Sequence, residues 1–542
     1  MGLRDGRLHP DHPAGDDLLH PRAAPAQRRT GVRGGEGVNA ADRLRLVNSV
    51  ILPGFLGTAL PAWLEEALRN GLGGVVYFSQ NIDPDTPGAV GRLSEAVLAA
   101  NPHAVIGIDE EGGNVTRLQS AAGSGIPGAA VLGVLDDIGL TEDAGRDIGV
   151  LARAAGVNLV LAPVADVNTN PLNPIIGVRS FGADTARVSA HTAALIRGLQ
   201  SAGVGACAKH FPGHGDTSTD SHLELPRVEL SLEEMRRDHL PPFTAAVKQS
   251  VAAVMSAHIV IPELGELPAT LNPAAAALLR ELGHDGLLVT DALDMAAVRA
   301  GVGSGPGAVL ALKAGADLLC VGNPSNLGPK AGSTSDEDDY REVRDALLAA
   351  LDDGTLTTSH FETASRRIRR FVETTRQARA AAPDSAGSAP APSGRDWVEA
   401  AGRALTGVLP AWSRNGTAAD PVQLLDGRGR TNIAAGPLSD VFSAALARRT
   451  PVRRSALPDP AGTTDLVGSL GLTPESRVVV LTDDLAPGGA QLAAAQAVHR
   501  LLPGAAWVHT GTVPADGQDL PAVYTHGTSR ASAEALAARL LG

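Results

Sequence analysis

Cysteine is almost absent from these 542 residues: Cys207 and Cys320 are the only two, and each lies within an apolar run. That placement favours buried, reduced thiols over a disulfide or a metal pair, as a reducing cytoplasm allows. Long apolar runs are missing as well. No stretch approaches the roughly 18 residues of a membrane span, and the first 40 residues lack the apolar core of a secretory signal, so a cytoplasmic location and no membrane partner are expected. A basic excess is the third absence. A formal charge of −13 and a pI near 5.6 argue against a nucleic-acid partner, whose binding needs a basic face, and favour a small or neutral substrate.

What is present is a folded composition, 44% hydrophobic, rich in alanine, with 62 Gly and 37 Pro spread over many turn-like positions. The length exceeds one ordinary core and predicts two domains. Residues 1–40 mix charge with Gly and Pro without periodicity and read as a disordered extension, with the translation start expected near Val38.

Over 41–380 one pattern repeats: a short apolar run, a polar or glycine-rich break, then a helical stretch. The runs predict strands over 49–54, 74–78, 104–109, 158–163, 205–210, 253–258, 286–291 and 318–322. They are apolar without alternation, as strands covered on both faces must be. Helices are predicted between them, over 61–70, 183–202, 232–250 and 273–282. Eight alternations imply a (β/α)8 TIM-type barrel, with a doubly wound open sheet as the structural alternative. Several runs end in residues costly to bury: Asp109, Lys209 with His210, His258 and Asp291, with Asp166 just beyond its own strand. In a barrel those ends converge on one face. The Pro, Ala, Ser and Gly content of 381–395 predicts a linker, and 396–542 a smaller α/β sandwich with strands over 422–425, 477–482, 505–510 and 522–525. Helices are expected there over 437–448, 489–502 and 530–541, with no catalytic constellation.

The densest chemistry is KHFPGHGDTSTDSH, 209–222. Asp220 and His222 stand two apart, so in an extended loop the carboxylate can orient and charge-stabilise an imidazole able to move protons near neutral pH. Gly213 and Gly215 would let the loop bend and move. The same loop admits a metal site built from His210, His214, Asp216, Asp220 and His222, or a purely structural role, although the spacing of the helical zinc motif is absent. In LLVTDALDM, Asp291 ends a strand and is placed to act as a nucleophile or electrostatic partner, while Asp294 is expected to start or cap the next helix. IGIDEEGGNVTRL supplies Asp109 and Arg117, acidic and basic groups suited to sugar hydroxyls; Glu110 and Glu111 read as solvated loop charges. The paired glycines there match no phosphate-binding fingerprint. The long irregular stretch 162–182 offers Arg179, either a ligand-holding residue or a surface arginine paired with an acid.

Together, IDEEGGNVTR, VNTNPLNPIIGVRSFG, KHFPGHGDTSTDSH and VTDALDM resemble the glycoside hydrolase family 3 β-N-acetylglucosaminidases of the NagZ type over residues 45–375. The resemblance implies a retaining exo-β-N-acetylglucosaminidase that removes terminal non-reducing N-acetylglucosamine from peptidoglycan fragments or chitooligosaccharides. It implies Asp291 as nucleophile, His222 as general acid/base with Asp220 as its dyad partner, and Asp109, Arg117, Arg179, Lys209 and His210 as sugar contacts. Neither cofactor nor metal is expected. Asn114 stands where the family commonly has arginine, a departure expected to leave the chemistry unaffected. Two alternatives accompany this reading: a phosphorylase using phosphate as acceptor on the same residues, and a non-catalytic carbohydrate-binding protein.

Overall fold

The computed structural model describes residues 39–219, 221, 224–325, 335–381, 391–410, 421–429, 440–514 and 520–542. The N-terminal extension read from the sequence lies outside them up to residue 38, as do 382–390 of the expected linker. Residues Ala40–Gly542 form one compact unit.

Eight short apolar runs form the first sheet system, close to their predicted positions. Its strands are β1 (Ile51–Pro53), β2 (Gly74–Tyr77), β3 (Val105–Ile108), β6 (Leu159–Val160), β7 (Gly205–Phe211), β8 (Ala253–Ser256), β9 (Leu287–Thr290) and β10 (Leu319–Gly322). The short hairpin β4 (Glu110–Gly112) and β5 (Val115–Thr116) follows β3. Strands β2, β3, β6, β7, β8 and β9 lie side by side in that order, all parallel, and β1 pairs with β10. The order follows the sequence without the reversal a doubly wound sheet requires. Hydrogen bonds join the pair to the six: Thr290 N–H donates to the Leu318 carbonyl at 3.0 Å, and Gly73 N–H to the Asn48 carbonyl at 2.9 Å. The result is a curled parallel sheet.

Curling explains why the runs do not alternate. Along β8, β9 and β10, Ala253, Met255, Leu287, Val289, Leu318 and Cys320 fall into one buried cluster, and their neighbours Val254, Leu288, Leu319 and Val321 into another that includes the helices. Both faces exclude water, so neither can be polar. Cys207 and Cys320 are buried and free within the first cluster, as expected; burial pushes the Cys207 thiol up to about 12.

The expected helix over 232–250 is interrupted. Ser231 caps a first turn, Leu232–Glu234, accepting Glu234 N–H while the Glu234 carboxylate accepts Ser231 N–H. A wider turn, Met235–His239, follows, and the chain restarts as Pro241–Lys248. The cause is Pro241 and Pro242, which lack the amides a continuous helix would use.

The C-terminal sheet contains β11 (Thr406–Gly407), β12 (Val422–Asp426), β13 (Val452–Ala456), β14 (Val478–Thr482), β15 (Ala506–His509) and β16 (Ala522–Tyr524), ordered β11-β16-β15-β14-β12-β13. All pairs are parallel except β11 with β16. Four of these strands match the sequence reading. Strands β11 and β13 do not: β11 is two exposed residues, and Val452-Arg453-Arg454-Ser455-Ala456 is an exposed or half-buried edge with no apolar run to announce it. The described end of the expected linker is not loose. Ser393 donates its amide and hydroxyl to Asp147, at 2.5 and 2.7 Å, and Arg395 pairs with Asp143.

Candidate active site

A pocket opens beyond the carboxyl ends of the first sheet's strands. Asp109, Arg117, Arg179, Lys209, His210 and Asp291 all line it, although they come from five separate parts of the chain. Asp220 and His222 lie outside the described residues. Ser221, between them in sequence, is buried and lines the same pocket.

Asp109 follows β3 and heads the hairpin β4–β5. The adjacent Glu110 is buried and accepts the amides of Arg117 and Leu118 at 2.9 and 3.0 Å, which folds the hairpin back and delivers Arg117 to the pocket. Arg117 then approaches Asp109 at 3.4 Å, its guanidinium 6.0 Å from the Phe78 ring centre. Lys209 and His210 sit where the pairing of β7 with β8 shifts register between Ala208 and Phe211. Such irregularities re-aim side chains, and Lys209 reaches both Asp109 and Glu111 at 2.7 Å.

Glu111 is the hub that sequence patterning missed. Its carboxylate takes Arg179 in a two-pronged pair, at 3.0 Å from Nε and 2.8 Å from Nη2, and Lys209 as well. Expected as solvated charges, Glu110 is instead buried and the Glu111 side chain is only 7% exposed, and Arg179 meets its acid in the interior and not at the surface. A usable signal existed. Asp109 and Glu111 stand two apart in an extended segment, so both can face one side.

Burial pushes the Asp109 and Glu111 carboxyls up, but Lys209 with Arg117 for the first, and Arg179 with Lys209 for the second, outweigh it and hold both below the usual carboxylate value. Burial lowers Lys209, yet Asp109 and Glu111 keep it above its ordinary value. The network therefore favours its ionised forms, and it presents cationic donors beside anionic acceptors to the pocket.

Asp166 organises the other wall. It accepts His210 Nδ1–H at 2.8 Å and the amides of His210 and His214 at 3.1 and 2.7 Å. Burial raises Asp166, and the neighbouring His210 more than offsets this. His214, which also lines the pocket, bonds to Thr217 at 2.8 Å and Ser221 at 3.2 Å, and burial lowers it to about 4. Asp216 accepts from the Thr169 hydroxyl. Among the described residues, the donors a metal site would gather, His210, His214 and Asp216, are thus committed to separate partners.

Asp291 follows β9. Its amide donates to the Ser256 carbonyl at 3.1 Å, and its Oδ1 accepts Ala292 N–H at 2.8 Å. The next carbonyl, of Ala292, accepts His258 Nε2–H at 2.8 Å, so the buried His258 holds the turn behind Asp291 and does not line the pocket. Asp294 departs from expectation: Met295 occupies the N-cap of the following helix, while Asp294 lines the pocket and accepts Asn323 N–H at 3.0 Å.

The family profile described as "Glycosyl hydrolase family 3 N terminal domain" matches residues 59–371, more than half of the chain. A beta-hexosaminidase of Methylococcus capsulatus is 34% identical over 255 residues, covering 46% of this chain and 75% of that protein. Beta-hexosaminidase A of Pseudoalteromonas piscicida is 36% identical over 267 residues, 44% of this chain, and the match spans only 44% of that protein's length. Among solved structures, a glycoside hydrolase family 3 beta-N-acetylglucosaminidase from Paenibacillus sp. superposes with a TM-score of 0.76 at 29% identity, covering 92% of this chain and 96% of that one.

Proposed function

The chain belongs to glycosyl hydrolase family 3, and from that membership we propose that it is a retaining exo-β-N-acetylglucosaminidase. Its substrates are terminal β-linked N-acetylglucosamine units on peptidoglycan fragments or chitooligosaccharides. The carrying observation is the pocket that gathers Asp291 with Asp109, Arg117, Arg179, Lys209 and His210, and that Ser221 borders between Asp220 and His222. The curled sheet is read as a (β/α)8 barrel over 41–380, with 381–395 as a linker and 396–542 as a second, α/β sandwich domain.

In this reading the ionised network holds the sugar. Arg117, Arg179 and Lys209 donate to hydroxyl and acetamido oxygens, while Asp109 accepts from hydroxyls. Asp291 attacks the anomeric carbon as His222, protonated and paired with Asp220, gives its proton to the leaving oxygen. The C–O bond to the aglycone breaks and a glycosyl-enzyme ester forms. Water then attacks the same carbon, His222 removes its proton, and the ester opens with a second inversion, so the anomeric configuration is retained. A histidine in place of a second carboxylic acid leaves, after the first step, a neutral imidazole that does not repel an anionic acceptor.

Product analysis on a muropeptide disaccharide and on chitobiose, with and without phosphate, tests the proposal. The expected product is free N-acetylglucosamine, at a rate indifferent to phosphate. Accumulation of N-acetylglucosamine 1-phosphate would replace hydrolysis by phosphorolysis. No release from either substrate would leave a binding protein.

A further inference from the structure

Two surface loops bring Arg117 and Arg179 to the pocket, and each is tied from outside by the C-terminal sheet. In the loop over 112–128, Asn114 Oδ1 accepts the amide of Thr528 at 2.6 Å, and the Ser124 carbonyl accepts the amide of Arg530 at 2.9 Å. Thr528 and Arg530 lie just after β16, where the helix Arg530–Leu541 begins. First-turn amides of a helix have no acceptor within it, so the bond to Ser124 satisfies a donor the helix leaves over. The fit is close. A Cβ on Gly527 would lie 3.0 Å from Asn114 Oδ1, and its φ of +135° already favours glycine.

The second loop is held the same way. Thr512, beyond β15, donates its hydroxyl to the Pro171 carbonyl at 3.2 Å. Its methyl group would sit 3.6 Å from a Cβ on Gly177, the residue that opens the 3-10 turn Gly177–Arg179. Both ties therefore fall within the chain segments that carry the two arginines.

We propose that the C-terminal sheet is a positioning element for the sugar pocket. Through Asn114 with Thr528, Ser124 with Arg530 and Pro171 with Thr512, it holds the loops bearing Arg117 and Arg179, and Asn114 and Thr512 are positioning residues that touch no substrate. The inference rests on the reading of those two arginines as sugar contacts. The side-chain ends of both arginines are paired with Asp109 and Glu111; what the C-terminal sheet adds is restraint of the backbone behind them. A loop ordered before substrate arrives need not be ordered at the expense of binding. Releasing it should therefore weaken substrate binding more than it slows the chemical step.

The test uses the full chain with Asn114→Ala and Thr512→Val, and with the conservative partners Asn114→Asp and Thr512→Ser, which keep an acceptor and a hydroxyl respectively. Kinetics are measured on 4-nitrophenyl β-N-acetylglucosaminide, and amide hydrogen exchange is followed in peptides covering 112–128 and 167–182. Each deleting variant is expected to raise KM about fivefold, the equivalent of one lost hydrogen bond, with kcat within about twofold of wild type. Exchange should quicken in 112–128 for Asn114→Ala and in 167–182 for Thr512→Val, and both conservative variants should restore wild-type behaviour. Unchanged KM and exchange, or a loss confined to kcat, overturns the inference. If wild type itself releases no nitrophenol, the functional reading fails, and the exchange data still decide whether the sheet restrains the loops. Thr512→Val is nearly isosteric at a half-buried site, so the proposal stays open to refutation should Asn114→Ala not fold.

Discussion

Glu110 and Glu111 are neighbours in sequence, and their surroundings shift them in opposite directions. Glu111 faces Arg179 and Lys209 and stays ionised. Glu110 lies behind the hairpin, where burial, only partly offset by Thr116 and the amides of Leu118 and Arg117, pushes it up to about 7 from an ordinary value of 4.5. The folded state thus holds a proton that the unfolded chain has released. Stability from this group is complete below about 4.5 and is lost as pH rises through about 7. Asp109, Asp166 and Glu111, all lowered, act in the other direction and lose their contribution as pH falls below the usual carboxylate range. Glu110→Gln keeps an acceptor for the two amides and removes the titration. Relative to wild type it is expected to gain about 1–3 kcal/mol between pH 5 and pH 8. Urea unfolding at the two pH values measures this, and an equal difference at both would show that Glu110 does not carry the proton. Sequence spacing cannot distinguish such neighbours, because what separates them is which side of the three-residue strand β4 each side chain leaves from.

At the scale of elements, the apolar runs announced all eight strands of the curled sheet, since a strand buried on both faces must be continuous in hydrophobicity. The polar residues at their ends announced four of the pocket's lining groups, Asp109, Lys209, His210 and Asp291, for a related reason: a charge is tolerated only where the strand emerges. Less legible was how the loops beyond those ends cross. Gly215, whose sequence context suggested a hinge, is a packing site. A Cβ there would lie 1.8 Å from the Val167 carbonyl oxygen, so the loops over 167–182 and 212–219 pass backbone against backbone. Bonds on either side clamp the crossing: Asn173 Nδ2 donates to the His214 carbonyl at 2.8 Å, and Asn170 Nδ2 to that of Thr217 at 3.1 Å. Gly215→Ala has to part the two loops. With Arg179 on one, and Lys209 and His210 at the strand end that leads into the other, kcat/KM is expected to fall by about 100-fold, the scale of a 1 Å misplacement of catalytic groups. Circular dichroism should remain that of wild type, since the eight strands lie elsewhere. Activity near wild type would mean that the crossing is soft and the hinge reading correct.

For the molecule as a whole, the sequence marked where the second sheet begins but not that it leans on the first, because the contacts are made by residues whose composition is ordinary for loops. Asn114 illustrates this. Read in the sequence as a departure from the family's usual arginine that leaves the chemistry unaffected, it is a junction between the pocket's hairpin loop and the C-terminal sheet. A second junction lies at Asp147, on the helix Ile138–Ala154. Its carboxylate accepts the Ser393 amide, the Ser393 hydroxyl and Trp397 Nε1–H, at 2.5, 2.7 and 2.9 Å, while Arg395 pairs with Asp143 one turn earlier. Four donors from 393–397 thus anchor the start of the C-terminal sheet's first helix, Trp397–Ala404, on a helix of the curled sheet. Two sheets within one compact unit unfold together only while the contacts between them cost more to break than either can lose alone. Asp147→Ala strands the Trp397 and Ser393 donors in a half-buried place, each lost bond worth about 1–3 kcal/mol. Wild type is expected to melt in one calorimetric transition and the variant in two, the lower one removing the near-ultraviolet signal of Trp507 on β15 before that of Trp63 on the helix Ala62–Arg69. A single transition in both proteins, shifted but undivided, would mean that the ties at Asn114, Ser124 and Thr512 hold the two sheets together without this anchor.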